Sequence, residues 1–256
     1  MSTVAKAISL LEALGASPSE AALADLARKA GHDKATARRL LVSLIDCGLV
    51  EQNERNRHYR LGAGIARLAV LREAQFPFLR TAVPTVERLA EETGETVHLT
   101  EYSNRGLISA HVVESTKANR VSVPIGEMLP MHATASGIAF LAFAESRVRN
   151  GVLNGPFSAF TPFTVTDSAS LAELIDSARA RGYSLGSQGF EEGVFSVAAP
   201  ILGHDGFAIG ALAIAAPRVR IRSGDIERYG AAVAAGAREI GERLFGPFAQ
   251  PRKHAS

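Results

Sequence analysis

The side chains that most often carry catalysis or bind metals are scattered along this sequence. The seven histidines stand at positions 32, 58, 98, 111, 132, 204 and 254, and no pair has the helical spacing of a zinc site. The sequence contains no Gly-x-Ser-x-Gly elbow, phosphate-binding loop or dinucleotide fingerprint. We therefore predict a protein that is not an enzyme and has no cofactor. His98 and His111 fall in predicted strands, where we expect hydrogen-bonded histidines of a core or a pocket edge.

The single cysteine, Cys47, has no partner for an internal disulfide. It stands near the end of a predicted helix, beside Leu44, where we expect a buried and unreactive thiol. The sequence has no signal-peptide pattern and no apolar stretch long enough to span a bilayer. The predicted location is the cytoplasm, without a membrane partner.

A helix with a basic face is predicted within residues 33–50. Its apolar residues recur at the i, i+3, i+4, i+7 and i+8 spacing of one buried face. Asp33 is the predicted N-cap and Gly48 the predicted end. A charge run of this kind, taken alone, is more often a solvated face. A short helix of this composition can also lie in the DNA major groove. The residues predicted to contact DNA are Lys34, Thr36, Arg38, Arg39 and Ser43.

The flanking elements favour the DNA-binding interpretation. Helices are predicted at 4–15 and 21–30, and short strands at 49–52 and 58–61 flank a polar turn. Three helices followed by a basic hairpin are the order of a winged helix-turn-helix, here residues 1–61. Arg55 and Arg57 in the turn are predicted phosphate contacts. Residues 1–75 hold eleven Lys and Arg against eight Asp and Glu, a net charge of +3, whereas the remainder has −1.

A second candidate site begins a predicted helix at residues 131–137. Small residues start the helix, so its first backbone N–H groups are free to bind an anion such as a carboxylate. Thr134 and Ser136 add hydroxyl groups. The alternative is an ordinary capped helix start that packs closely on a sheet.

The elements after residue 61 predict a linker helix and an α+β domain with an antiparallel sheet. We place the linker at 62–75, the second domain at 76–250 and a disordered tail at 251–256. The domain's predicted helices cover 78–92, 134–144, 169–181 and 223–245. Its predicted strands cover 96–102, 107–114, 120–125, 195–202 and 207–215.

Several segments together resemble the IclR family of bacterial transcriptional regulators. In the first domain these are AISLLEAL, ALADLARKAG, KATARRLLVSLIDCGLVE and HYRLGAGIARLA. In the second they are TGETVHL, RVSVPIGEMLPMHATASG, RGY, GVFSVAAPI and ALAIAAP. The resemblance implies a GAF-like effector-binding domain and a homodimer or dimer of dimers on a pseudo-palindromic operator. It implies a repressor or activator of a catabolic operon.

The resemblance also implies positions for a small organic acid effector. Gly186 stands where an acidic residue can occur in the family, and Ala213 and Ala215 stand where binders of small acids have serine. We therefore expect an effector larger and more apolar than pyruvate or glyoxylate, such as an aromatic or medium-chain carboxylic acid. Together with Thr134, the expected pocket residues are Ala118, Ala135, Ser136, Gly186, Val194, Ser196, Ala213 and Ala215.

Two other functions stay open at this point. A winged helix can serve as a protein-interaction module, which would show no steep salt dependence with DNA. The second domain could instead be a sensor that holds a metal or redox cofactor.

Overall fold

The computed structural model describes residues 1–247, which divide into two compact units. The first unit is Met1–Pro77, and the second begins at Phe78. The predicted boundary after residue 75 lies two residues earlier, and the predicted linker helix is part of the first unit. Residues 248–250 of the predicted second domain and the predicted tail at 251–256 lie outside the described residues.

The first unit begins with three helices, α1 (Thr3–Gly15), α2 (Leu23–Lys29) and α3 (Lys34–Asp46). Side chains cap two of them, because the Ala5 N–H donates to Ser2 Oγ and the Thr36 N–H donates to Asp33 Oδ1. The helices share an apolar core whose fully buried members include Leu10, Leu26, Ala37 and Leu41. The helical periodicity of the sequence thus corresponds to the buried faces.

A two-stranded wing follows the helices. Strands β1 (Val50–Gln52) and β2 (Tyr59–Leu61) pair antiparallel. Ala21, predicted as the start of the second helix, instead forms a bridge with Tyr59, in which each backbone N–H donates to the other residue's carbonyl at 2.9 Å. The helix prediction was wrong at this end because Ala21 extends the wing sheet before the helix begins at Leu23.

Helix α4 (Ala63–Gln75) closes the first unit. None of its side chains is buried among the described residues. Leu68, Val70 and Leu71 are large apolar side chains that lie exposed on it. Most isolated helices of this length are marginal in water, so the exposed apolar side chains favour a packing partner for α4.

The second unit is built on a six-stranded sheet in which the neighbouring strands pair antiparallel, in the order β5-β4-β3-β8-β7-β6. Its strands are β3 (Thr96–Ser103), β4 (Gly106–Val113), β5 (Met128–Leu129), β6 (Ser184–Ser187), β7 (Val194–Leu202) and β8 (Ala208–Pro217). Its helices are α5 (Phe78–Thr93), α6 (Ala135–Ala142), α7 (Ser146–Leu153), α8 (Ser168–Arg181) and α9 (Ser223–Phe245).

Helices cover both faces of this sheet. A Cβ added to Gly236 of α9 would lie 2.9 Å from Leu212 of β8 and 3.0 Å from Leu89 of α5, so these two helices lie on the Leu212 face. Alternate residues of a strand point to the opposite face, and there α6 packs on small side chains. The buried cluster at this contact consists of Ala135, Ala139, Ala198, Ala211 and Ala213.

One predicted strand is absent from the described structure. Residues 120–125 form a loop; backbone hydrogen bonds to β4 begin at Gly126, and strand β5 begins at Met128. Pro124 lacks a backbone N–H for a sheet ladder, and Gly126 has a φ of +85° that turns the chain. The periodicity also missed strand β6 and helix α7, because a four-residue strand and a short polar helix carry little periodic signal.

The core of the first unit predicts a position-specific loss of stability. We expect Leu41→Ala to lower the free energy of unfolding by about 2–5 kcal/mol, because the side chain is fully buried in that core. The adjacent Val42 is half exposed, so Val42→Ala should change it by less than about 0.5 kcal/mol. Urea unfolding followed by circular dichroism measures both, and equal losses would contradict this assignment of the buried face.

Candidate functional site

The exposed face of α3 carries cations that no acidic side chain neutralises. Lys34, Arg38 and Arg39 are exposed, and among residues 1–247 none of them forms an ion pair. Ser43 is also exposed, and its Oγ donates to the Arg39 carbonyl at 3.3 Å. Four of the five residues predicted on this face are therefore accessible together.

The fifth predicted residue, Thr36, is partly buried at the start of the helix. Its backbone N–H donates to Asp33 Oδ1 at 2.8 Å, and this hydrogen bond lowers the pKa of the Asp33 carboxyl below its ordinary value. The ionised cap stabilises the helix start. Its negative charge also lies beside the basic face.

Val42 is a further accessible residue of α3 that the sequence analysis did not single out. It is 50% exposed, between the buried Leu41 and the exposed Ser43. The sequence signal that could have identified it is that Val42 is apolar but falls outside the spacing of the buried stripe. An exposed apolar side chain on a groove-binding helix can contact the methyl group of thymine.

The arginines of the wing differ in whether they form ion pairs. Arg60 pairs with Glu51 at 2.9 Å and with Glu20 at 3.4 Å. Arg55 and Arg57 are exposed in the turn and form no ion pair within the described residues. Arg55 and Arg57, the predicted phosphate contacts, are therefore the wing arginines without an acidic partner in this part of the chain, whereas Arg60 has two.

Glu20 holds the wing turn against the helical part of the unit. Its Oε2 accepts from Asn53 Nδ2 at 2.9 Å and from Asn56 Nδ2 at 3.1 Å. These two amide hydrogen bonds are the main cause of the lowered pKa of the Glu20 carboxyl. The turn that carries the two free arginines is thereby fixed at both of its asparagines.

A cavity of about 330 Å³ lies in the second unit at the N-terminal end of α6. This volume is in the range of small-molecule sites. Loop 121–129 and the β6–β7 hairpin contribute the other walls. Seven of the nine predicted pocket residues line it, namely Thr134, Ala135, Ser136, Gly186, Val194, Ser196 and Ala215.

The other two predicted pocket residues lie elsewhere. Ala213 is fully buried in the alanine cluster beneath α6, so its side chain is used for helix packing. Ala118 is exposed and does not line the cavity. Residues outside the predicted pocket set also line it, among them Val121, Val123, Glu127, Phe190 and Glu191. His98, predicted as a hydrogen-bonded histidine of the core or a pocket edge, lines it too.

The start of α6 presents hydrogen-bond donors to the cavity. Thr134 Oγ1 caps the helix by accepting from the Gly137 N–H at 3.1 Å. The N–H groups of Ala135 and Ser136, the first two helical residues, have no carbonyl partner inside the helix. A Cβ on Gly186 would lie 3.0 Å from the Ala135 nitrogen and 2.8 Å from Ser196 Oγ. Glycine at this position therefore keeps space beside both groups.

His98 forms the buried polar centre of the cavity wall. It is 6% exposed, and its Nε2 lies 3.1 Å from Ser136 Oγ. Its Nδ1 is buried and has no hydrogen-bond partner among the described residues. Burial lowers the pKa of His98 to about 4, so the ring is neutral at pH 7. Whichever ring nitrogen carries the proton, the pair keeps a polar group for a ligand.

The register of β3 and β8 shows on which face of the sheet His98 lies. It pairs with Ala213 across β3 and β8, and Ala213 faces α6. Val97 and Leu99 are fully buried and alternate with it. A strand with apolar residues on one face and a histidine on the other favours a polar site on the histidine face.

Other expectations about reactive groups fall outside this cavity. Cys47 is exposed, so the prediction of a buried thiol was wrong; the residue follows the last turn of α3, where the buried stripe has ended. Among residues 1–247, no three His, Cys, Asp or Glu side chains are grouped so that they could hold a metal ion. No helix in the same residues is long and apolar enough to cross a membrane.

The two units define a transcriptional regulator that combines a helix-turn-helix with a separate ligand-binding domain. The IclR helix-turn-helix domain matches residues 3–54, and the C-terminal domain of the bacterial transcriptional regulator IclR matches residues 74–242. The chain belongs to the IclR family. This confirms the family resemblance, the α+β fold class and the DNA-binding function.

Relatives with names or solved structures agree with this assignment. The chain is 32% identical over 200 residues to the glycerol operon regulatory protein of Streptomyces coelicolor, covering 78% of each chain. It is 30% identical over 241 residues to the transcriptional repressor IclR of Escherichia coli, covering 93% of this chain and 88% of the relative. Both are named as regulators, which supports the prediction that this protein is not an enzyme.

Two solved structures share the fold over nearly the whole chain. An IclR-type regulator from Silicibacter sp. TM1040 superposes with a TM-score of 0.85 at 39% identity, covering 100% of both chains. An IclR homologue from Microbacterium hydrocarbonoxydans, complexed with 4-hydroxybenzoate, gives a TM-score of 0.82 at 25% identity. It covers 95% of this chain and 99% of that one.

The buried neutral His98 predicts a stability that depends on pH. Its pKa is about 4 in the folded protein and near 6.5 in the unfolded chain, so the unfolded chain binds the proton more tightly. Stability therefore falls as the pH drops from 6.5 towards 4. Between pH 7 and pH 5, the wild type should lose about 2 kcal/mol more than a His98→Asn variant does. Urea unfolding at both pH values measures this difference, and equal losses would contradict a depressed pKa.

Proposed function

We propose that the protein is a ligand-responsive regulator of a catabolic operon whose effector is an organic acid bound at the start of α6. The observation that carries the proposal is the cavity whose buried end presents neutral hydrogen-bond donors from Ala135, Ser136 and His98. A carboxylate at a helix N-terminus is stabilised by the free N–H groups and the helix dipole. The complex of a relative with 4-hydroxybenzoate supports this class of effector.

We propose that α3 reads the operator. Lys34, Arg38 and Arg39 are exposed and free of ion pairs in the described chain, so their charge is available for phosphates and base edges. Thr36 and Ser43 complete the proposed contact residues of this helix. Arg55 and Arg57 of the wing reach the phosphate backbone. A protein that acts on operator DNA in this way works in the bacterial cytoplasm.

The proposed assembly is a homodimer, or a pair of dimers, on a pseudo-palindromic operator. The exposed Leu68, Val70 and Leu71 of α4 support a second copy as the packing partner of this helix. A two-fold axis places two recognition helices on half-sites about one helical turn apart, or a multiple of it.

We propose an effector larger and more apolar than pyruvate or glyoxylate. Val121, Phe190 and Val194 line the cavity and supply apolar contact area. Gly186 and Ala215 leave space that larger side chains would fill. Ala213 does not contribute to this argument because its side chain packs against α6. An aromatic or medium-chain carboxylic acid fits this combination of apolar walls and a polar end.

Arg39→Ala tests the proposed recognition helix. We expect operator affinity to fall roughly ten- to a hundredfold, because an arginine that contacts bases contributes about 1–3 kcal/mol. The matched control, Arg105→Ala in the β3–β4 hairpin, should leave operator affinity within about twofold. Fluorescence anisotropy on the intergenic DNA beside the protein's own gene, and on a scrambled duplex over a salt series, measures both. Equal affinities of the two variants would contradict the proposal.

Gly186→Ala tests the proposed pocket. The added methyl group meets the Ala135 nitrogen and Ser196 Oγ, so the affinity for benzoate should fall about tenfold or more. Gly151→Ala in α7 is the control, because a Cβ there has no neighbour within 4 Å. Isothermal calorimetry on the full chain measures binding. The proposed effector class would be wrong if glyoxylate bound the wild type more tightly than any aromatic acid.

A further inference from the structure

We propose that the effector is an acid that also carries a protonated amine, and that Glu127 and Glu191 select it. This inference rests on the proposed function, since it assigns the charge pattern of the ligand in the same cavity. The carboxylate of the effector lies at the buried end, and its ammonium group lies between the two glutamates at the mouth. The effector class is therefore an amine-bearing, largely apolar carboxylic acid.

The first observation is the distribution of charge around the cavity. Glu127 comes from the loop before β5 and Glu191 from the β6–β7 hairpin, so the two carboxylates reach the cavity from separate segments. Both residues are exposed, and neither side chain has a hydrogen bond or ion pair in the described chain. No lysine or arginine of residues 1–247 is among the lining residues.

The neighbouring cations are bound to other groups. Lys117 and Arg220 both pair with the buried Glu95, at 2.8 and 2.9 Å. Arg218 donates to Ser187 Oγ at 2.8 Å and does not line the cavity. The mouth of the cavity therefore has a negative charge that no lining residue balances.

The second observation concerns the opposite end of the cavity. His98 is more than nine-tenths buried, lines the cavity and has an unpartnered Nδ1. Ser136 beside it is 1% exposed. A buried polar atom without a partner is costly, and a ligand group that hydrogen-bonds to Nδ1 removes this cost. The exposed mouth is acidic and the buried end offers neutral donors, so the two ends suit opposite charges of one ligand.

Between the two ends the walls are apolar. Val121, Phe190 and Val194 line the same cavity as the buried histidine and the two glutamates. A ligand that satisfies both ends therefore needs an apolar spacer between its carboxylate and its amine. The glutamates also act against competitors, because a second carboxylate at the mouth would lie beside like charge.

The test compares three benzoates that differ only in the group at the mouth. Calorimetry at low ionic strength uses three probes: 4-(aminomethyl)benzoate with an ammonium group at this end, 4-methylbenzoate with an uncharged methyl group, and terephthalate with a second carboxylate. We expect affinity to fall in that order, with about tenfold or more between the first and the third, because two glutamates attract one group and repel the other. Added salt should reduce this ratio.

Removing the two charges should remove the preference. In a Glu127→Gln, Glu191→Gln double variant, the three probes should bind within about twofold of one another. Glu173→Gln on α8, an exposed glutamate of the same domain that does not line the cavity, should keep the wild-type ratio.

The outcomes separate this inference from the proposed function. Equal affinities of the wild type for the three probes, or tightest binding of terephthalate, would overturn the charge assignment and leave an acid effector in place. A wild type that binds operator DNA but none of the three acids would overturn both the inference and the proposed acid site. A preference that persists in the double variant would also overturn the role of the glutamates.

Discussion

The close approach of α6 to the sheet is the constraint on which the effector domain depends. Methyl groups of Ala135, Ala139 and Ala213 form the contact, so the helix axis lies nearer to the strands than larger side chains allow. Gly137 lets the preceding loop pack closely on the same turn, since a Cβ there would overlap the Met131 carbonyl oxygen. The first turn of α6 is thereby fixed against the sheet. Its free N–H groups consequently open into a cavity instead of into solvent.

The distribution of ion pairs has a comparable role in the DNA-binding unit. Net charge alone does not show which cations are available, because Arg60 is already paired with Glu51 and Glu20. Within residues 1–247, the arginines without such partners include those of α3 and of the wing turn, and Glu20 also holds that turn through its asparagines. The Glu20 carboxylate thus pairs with Arg60 and also positions the turn that carries Arg55 and Arg57. A local ion pair in this unit determines which surface can bind a polyanion.

Much of the fold could be predicted because the apolar residues within each main helix or strand recur at the spacing typical of that element. The buried stripe of α3 and the N-cap Asp33 are explicit in the sequence. The predictions failed where tertiary contacts override local pattern: Ala21 joins the wing sheet, and residues 120–125 form a loop that contains Pro124. For the site, family positions located seven lining residues. The family positions did not show that Ala213 is used for packing, because this is seen only when α6 is placed over it in the structure.

His98 shows how burial connects the site to the folding of the domain. Desolvation keeps its ring neutral, and among residues 1–247 Nδ1 has no hydrogen-bond partner in the core. A ligand that supplies this partner stabilises the arrangement of β3 and α6 by its binding free energy. The ligand can change the affinity for DNA only by as much as its own affinity differs between two arrangements of the domain. By reciprocity, operator DNA must change the affinity for the ligand by the same factor.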